Sequence, residues 1–310
     1  MHASYSAPGK VILSGEHSVV YGKPAVVSAI NKRLTFSLKK SKQTEKIQLV
    51  EDIAEIVRQY LKKKGGLKYS GGYSYTITSD IPQARGLGSS AALSAAAVAA
   101  FLKLYTGKHQ DLETINNLAY KAERKFHKNP SGADNTASVF GGLIFFRKEF
   151  EFLKSIFQLP FKIPKILEER LYLIDSGRSV ESTAQMVERI GARFRSNPSD
   201  IKDTLNTLEI KTKQLVISIA KEDKKMFAQT IADNQKLLET LGTTSKKTKK
   251  LLQSLSQFGA GKITGAGGFK KGSGYILFYA ANAQDLRAYC RKHEINYFKF
   301  KQSSEGVRKA

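Results

Sequence analysis

Residues 81 to 92, Ile-Pro-Gln-Ala-Arg-Gly-Leu-Gly-Ser-Ser-Ala-Ala, form a glycine- and serine-rich turn that opens directly into an alanine-rich helical run. A helix N-terminus carries unpaired backbone N–H groups and the positive end of the helix dipole, and glycines let a polyanion approach the backbone closely. The segment therefore predicts a cradle for a phosphate chain. It is not a Walker A loop, because no Gly-Lys-Ser/Thr closes it. It is not a dinucleotide fingerprint either, because Gly86 and Gly88 lack a third glycine at the required spacing. Taken alone, the turn suits equally well a capped helix with Ser89 or Ser90 as N-cap.

Two further segments decide between these readings. Ala7-Pro8-Gly9-Lys10-Val11-Ile12-Leu13-Ser14-Gly15-Glu16-His17 reads as an apolar strand bracketed by a lysine and a Gly-Glu-His turn. Lys262-Ile263-Thr264-Gly265-Ala266-Gly267-Gly268 is a second glycine-rich turn, followed by a strand from Gly274 to Phe278. In this order the three segments resemble the signature motifs of the GHMP kinases, which include galactokinase, homoserine kinase, mevalonate kinase and phosphomevalonate kinase. Within the family, Glu123-Arg124-Lys125-Phe126-His127-Lys128-Asn129-Pro130-Ser131-Gly132-Ala133-Asp134-Asn135-Thr136 is similar to the active-site loop of the mevalonate kinase branch. Galactokinases continue Gly-Glu-His with Thr-Asp and follow the aspartate with glutamine, whereas here Ser18-Val19-Val20 follows His17 and Asn135 follows Asp134. Homoserine kinases lack the Pro-Ser-Gly-x-Asp-Asn run, and mevalonate diphosphate decarboxylases carry Ser-Gly-Ser-Ala there. Asp175-Ser176-Gly177 with Ser182-Thr183 adds a further match, so the resemblance spans most of the chain.

The resemblance implies an α+β GHMP kinase two-domain fold. Residues 1–180 would form the ATP-binding, ribosomal protein S5 domain 2-like N-terminal domain, and 181–310 a ferredoxin-like C-terminal domain, with the nucleotide in the cleft between. It implies ATP- and Mg2+-dependent phosphorylation of the 5-hydroxyl of mevalonate in isoprenoid biosynthesis. Phosphomevalonate or the mevalonate 3-hydroxyl are the alternative acceptors.

Carried over residue by residue, Asp134 takes the proton of the attacking hydroxyl or orients that hydroxyl, and Lys10 pairs with Asp134 and favours the alkoxide. Pro82, Arg85, Gly86, Leu87, Gly88, Ser89, Ser90 and Ala91 hold ATP. Ser90 and Glu123 hold magnesium, which needs few protein ligands beside the phosphates. His17, Glu16, Ser131, Gly132, Thr183, Gly265, Ala266 and Gly267 line the acceptor site. From the residues alone, Lys10 reads as solvent-facing, Asp134 as an N-cap, Glu123 as an exposed helix carboxylate and His17 as a local turn residue. The third motif also departs from the family's glycine run: Phe269-Lys270-Lys271-Gly272-Ser273 follows Gly268, a bulkier turn that would reshape that wall or add charge to it.

The 310 residues carry 51 Lys and Arg against 27 Asp and Glu, a net charge of +24. Such a balance can serve nucleic-acid or anionic-membrane binding. The clusters Lys39-Lys40-Ser41-Lys42, Lys62-Lys63-Lys64 and Lys246-Lys247-Thr248-Lys249-Lys250 are scattered and lack interleaved aromatics, which favours a solvated lysine-rich surface. The single Cys290 excludes an internal disulfide and reads as inert. No run of about 18 apolar residues and no signal peptide is evident, which points to a soluble cytoplasmic protein. A homodimer is expected by family analogy only.

Strand-like alternation at Lys10 to Leu13, Ala25 to Ile30, Leu34 to Leu38 and Tyr73 to Ser79 precedes helical patterns at Ser89 to Tyr105 and Leu112 to Phe126. A strand at Gly142 to Phe146 follows, then helices in which Ile201, Leu205 and Leu208, and Phe227, Ile231, Leu238 and Leu241, share faces. Strand Lys262 to Gly265, strand Gly274 to Tyr279, helix Asp285 to His293 and strand Ile295 to Phe300 suit a split β-α-β sandwich.

Overall fold

The computed structural model describes residues 2–42, 47–126, 130–150 and 152–310. Its first part runs β1 (His2–Ser14), β2 (Ala25–Lys40), α1 (Gln48–Lys63), β3 (Tyr73–Ser79), α2 (Ser89–Thr106), α3 (Leu112–Phe126), α4 (Ala133–Phe140), β4 (Leu143–Lys148) and β5 (Lys154–Gln158). It continues with α5 (Lys165–Glu168), β6 (Leu171–Asp175), α6 (Thr183–Ser196), α7 (Pro198–Ala220), α8 (Lys224–Thr240) and α9 (Lys246–Leu255). The last elements are β7 (Gly259–Ile263), β8 (Tyr275–Ala280), α10 (Ala283–Lys292), β9 (Tyr297–Lys299) and β10 (Arg308–Lys309).

Among the described residues the strands form two antiparallel sheets. One follows the order β10-β1-β2-β4-β5 with β3 also on β2, and the other the order β7-β8-β6-β9. The chain passes between them more than once: β6 enters the second sheet ahead of α6, and β10 returns to flank β1.

The two strands expected at Ala25 to Ile30 and Leu34 to Leu38 are one strand of 16 residues. The polar stretch between them stays extended because Arg33 is satisfied in place, its guanidinium donating to the carbonyls of Ser6 at 2.9 Å and Gly306 at 2.7 Å. Unforeseen from the sequence, α1 buries Val50, Ile53, Ala54, Val57 and Leu61 at helical spacing against the main core.

The alanines of α2 explain its place. Small side chains all round let the sheet strands β1 and β2 and the helices α1, α3 and α4 approach it from every side, and Ala91 to Leu102 are buried. This 18-residue helix is, by length and composition, apolar enough to cross a membrane, contrary to the expectation that no such run exists. The fold uses it as a core helix, 78% of that stretch being buried. The second sheet packs on α9 and α10 through Leu252, Leu255, Leu286 and the buried Cys290. Ile201, Leu205 and Leu208 form the expected face of α7 and pack with Ile190 of α6 and Leu241, whereas the face expected to hold Phe227, Ile231, Leu238 and Leu241 together is divided, Phe227 and Ile231 joining the main core and Leu238 the core under the second sheet.

Candidate active site

Backbone contacts bring the three sequence motifs together. Lys10 N–H donates to the Leu87 carbonyl at 2.9 Å, which ties β1 to the turn before α2. Tyr275 N–H donates to the Arg85 carbonyl at 3.2 Å, and a Cβ on Gly86 would lie 2.9 Å from the Thr264 carbonyl oxygen, so the third motif packs on the same turn. Between them lies a cavity of about 720 Å³.

The N-cap of α2 is Gly88, at φ +76°, with no side-chain cap. Neither Ser89 nor Ser90 caps the helix, so the first-turn N–H groups stay available to an anion. A Cβ on Gly88 would meet Lys10 Cγ at 2.7 Å, so glycine is required here both by backbone conformation and by close packing. Arg85, Gly86, Gly88, Ser89, Ser90 and Ala91 all line the cavity, whereas Pro82 and Leu87 are not part of its wall. The Ser90 hydroxyl donates to Glu123 Oε1 at 2.8 Å, and the Ser94 hydroxyl, which the sequence reading missed, donates to the same oxygen at 2.9 Å. Glu123 is buried, not an exposed helix carboxylate.

No cluster of three or more His, Cys, Asp or Glu exists among the described residues. A hydroxyl and a carboxylate at the mouth of an anion cradle fit a hard cation that keeps water and phosphate oxygens in its shell.

Lys10 is 2% exposed, and its ammonium lies 3.0 Å from Asp134 Oδ2. Asp134 does not cap α4. The cap is Gly132, at φ +94°, and Asp134 sits in the first helical turn, where its carboxylate faces the positive end of the helix. Its side chain remains 42% exposed, open to the cavity while pinned by Lys10. Ser131 and Gly132 line the same wall. His127, Lys128 and Asn129, part of the loop that carries the resemblance, lie outside the described residues.

Glu16 and His17 both reach the third motif. The His17 Nε2–H donates to the Ala266 carbonyl at 3.0 Å, and burial depresses its pKa from 6.5 to about 4, so the ring is neutral. Glu16 is fully buried in an ion pair with Lys262, whose ammonium also donates to the carbonyls of Ile263 at 2.8 Å and Ile12 at 3.3 Å. Burial raises the Glu16 pKa and lowers that of Lys262, each opposed by the charge of the other. Lys262 is thus a partner of the site that sequence reasoning passed over as strand. Gly265 and Ala266 line the cavity, and Gly267 does not.

Thr183 lines the opposite wall with Val187, Gly191 and Arg195, a stripe on α6 repeating every four residues. That period, extended from Thr183, is the signal that would have found Arg195. Of the cavity's cations among the described residues, Lys10 pairs with Asp134 and Arg85 with Asp175 at 3.5 Å, whereas Arg195 has no ion pair.

Residues 48–142 match the family model described as the GHMP kinases N terminal domain. A mevalonate kinase of Pyrococcus abyssi is 32% identical over 304 residues, covering 85% of this chain and 85% of that protein. One of Archaeoglobus fulgidus is 33% identical over 278 residues, covering 85% of this chain and 88% of that protein. The crystal structure of the Methanococcus jannaschii mevalonate kinase superposes with a TM-score of 0.78 at 19% identity over 98% of this chain and 99% of that one, a likeness of fold.

Proposed function

The chain belongs to the GHMP kinases, on the side of the mevalonate kinases, and from that premise we propose that its cavity transfers the γ-phosphoryl group of ATP to the 5-hydroxyl of mevalonate, forming 5-phosphomevalonate. The observation that carries this reading is the Lys10–Asp134 pair, its lysine buried and its carboxylate open to the cavity, beside the N-terminus of α2 that no side chain caps, an acceptor-activating group next to a phosphate cradle.

Phosphoryl transfer needs in-line positioning and neutralisation of charge more than covalent participation by the protein. The first-turn N–H groups of α2 receive the phosphates. Asp134 accepts the hydrogen bond of the attacking hydroxyl and takes its proton as the new O–P bond forms and the bond to ADP breaks. Lys10 keeps Asp134 in place and stabilises negative charge on the attacking oxygen. Arg195, the cavity cation without an ion pair among the described residues, suits the acceptor's carboxylate, and neutral His17 fixes the turn below it. Ser90 and Glu123 would hold Mg2+, which when bound neutralises phosphate oxygens and eases the departure of ADP. In this reading the enzyme works in the cytoplasm on small molecules, and its lysine-rich surface is solvated.

A coupled ADP-release assay with mevalonate, beside the same assay with phosphomevalonate and homoserine, tests the reading. Mevalonate-dependent turnover is expected, and turnover with another acceptor alone would reassign the pocket.

A further inference from the structure

The third motif of this chain replaces a glycine run with Phe269-Lys270-Lys271, and the structure gives those residues a partner. We infer that Phe269 and Arg189 form a clasp that holds α6 against the third glycine turn and so positions the acceptor wall of the cavity. The inference rests on the kinase reading above and adds positioning residues to it.

α6 needs such a hold. Of its 14 residues only Met186 and Ile190 are buried. Its inner stripe, Thr183 to Arg195, faces the cavity. Its outer face, with Arg189 and Arg193, borders a second hollow of about 680 Å³ whose far side is Phe269 and Lys270. A helix with open space on two faces has few packing contacts and opens at low free-energy cost unless something else fastens it.

The C-terminal half of α6 is held by Arg193, whose guanidinium donates to the Thr240 carbonyl at 2.7 Å, and by Phe194 stacked on Tyr21; toward its N-terminal end the third turn supplies the fastening. The Arg189 guanidinium lies 4.1 Å from the centroid of the Phe269 ring. The Lys270 N–H donates to Glu181 Oε1 at 3.3 Å, and the Ser179 hydroxyl donates to Glu181 Oε2 at 2.9 Å, so the approach to α6 is tied to the same turn. The turn is itself anchored: Gly268 N–H donates to the Thr243 carbonyl at 2.9 Å, and the Ser273 hydroxyl donates to the Gly268 carbonyl at 3.0 Å. A Cβ on Gly268 would lie 2.5 Å from Ser179 Oγ, so the turn and the α6 approach are in close contact. A rigid turn thus grips a thinly packed helix through one aromatic ring and one carboxylate.

Because α6 carries none of the residues assigned to ATP, loosening it acts on the acceptor alone. The full chain and the variants Phe269→Ala, Arg189→Ala, the double variant and Arg189→Lys are compared by ADP release with mevalonate and ATP varied separately. Each alanine variant is expected to raise KM for mevalonate about 3- to 10-fold, the effect of losing one cation–aromatic contact, with kcat and KM for ATP within about twofold. The double variant is no worse than the poorer single one, and Arg189→Lys restores part of the loss. Amide hydrogen exchange across residues 183–196 quickens in Phe269→Ala. An unchanged KM for mevalonate in both single variants, or KM values that rise equally for both substrates, overturns the clasp. If the unaltered chain fails to turn over mevalonate, the functional reading falls, and exchange at 183–196 alone decides: faster exchange in Phe269→Ala upholds the clasp and unchanged exchange overturns it.

Discussion

Lys262 in β7 and Glu16 in the turn after β1 form an ion pair in which neither side chain has any exposed surface, 246 residues apart in sequence. All the donor capacity of the ammonium is used, on Glu16 and the carbonyls of Ile12 and Ile263. Thr264 doubles the tie, its hydroxyl bonding both the N–H and the carbonyl of Ile12 at 2.9 and 3.1 Å. The pair therefore joins the first motif to the third beneath the cavity.

Lys262→Met leaves the Glu16 carboxylate buried without its cation, and is expected to destabilise the fold by about 3–5 kcal/mol. Glu16→Gln combined with Lys262→Met removes both charges and recovers much of that loss. Urea denaturation of the single and double variants measures it, and a double variant as unstable as the sum of the singles would show that the two residues are not coupled.

In the proposed reading Asp134→Ala removes the group at the acceptor hydroxyl; it also strips Lys10 of its ion-pair partner and leaves the α2 turn untouched. Turnover is expected to fall by about 10³-fold or more, with ATP binding largely retained. ADP release and ATP titration of the variant separate the two effects, and near-normal turnover would refute the role.

Glu123→Gln keeps the acceptors for Ser90 and Ser94 but removes the charge beside the cradle. The magnesium concentration for half-maximal activity is expected to rise about tenfold, by analogy with the loss of one charged ligand contact. A magnesium titration unchanged from that of the parent chain would remove Glu123 from the metal site.

His17 links stability to pH. In the unfolded chain it protonates near 6.5, and in the fold burial defers protonation to about 4. Between those values the unfolded state holds more protons, so stability falls as pH drops from about 6.5 to about 4, by about 3 kcal/mol in all. In His17→Gln that slope flattens, which denaturant melts at pH 7, 5.5 and 4.5 would reveal. An equal slope in both proteins would assign the acid sensitivity elsewhere.

Local patterns were legible in the sequence. The α3 boundaries at Leu112 and Phe126, the buried faces of α7 and α8, and the Gly-Ser turn at the head of α2 all follow from periodicity and glycine placement. Lys10 and Asp134 were paired through resemblance alone, since nothing local distinguishes a buried lysine before a strand from a surface one. The Glu16–Lys262 pair had no signal, because a contact between distant residues leaves no period. Serine is the stronger N-cap by propensity, so the turn alone left a Ser89 or Ser90 cap as open as a phosphate cradle; the cap is Gly88, in left-handed backbone with Lys10 packed where a side chain would go. The gap left between Ala25–Ile30 and Leu34–Leu38 is continuous strand, because Arg33 in it is satisfied by carbonyls of β1 and of the segment before β10.

The helix whose N-terminus receives the phosphates in the proposed reading is also the one that the sheet and three helices enclose. Ser89 and Ser90 are half-buried, but Ala91 and Ala92 of the first turn lie in the core, so fraying the turn costs packing and the cradle has no cheap open state. The ordering entropy that a floppy anion loop would surrender at each encounter with nucleotide is here surrendered once, when the chain folds. Nucleotide affinity and the durability of the fold are in that sense one property, and a core substitution such as a larger residue for Ala95 would be felt in both.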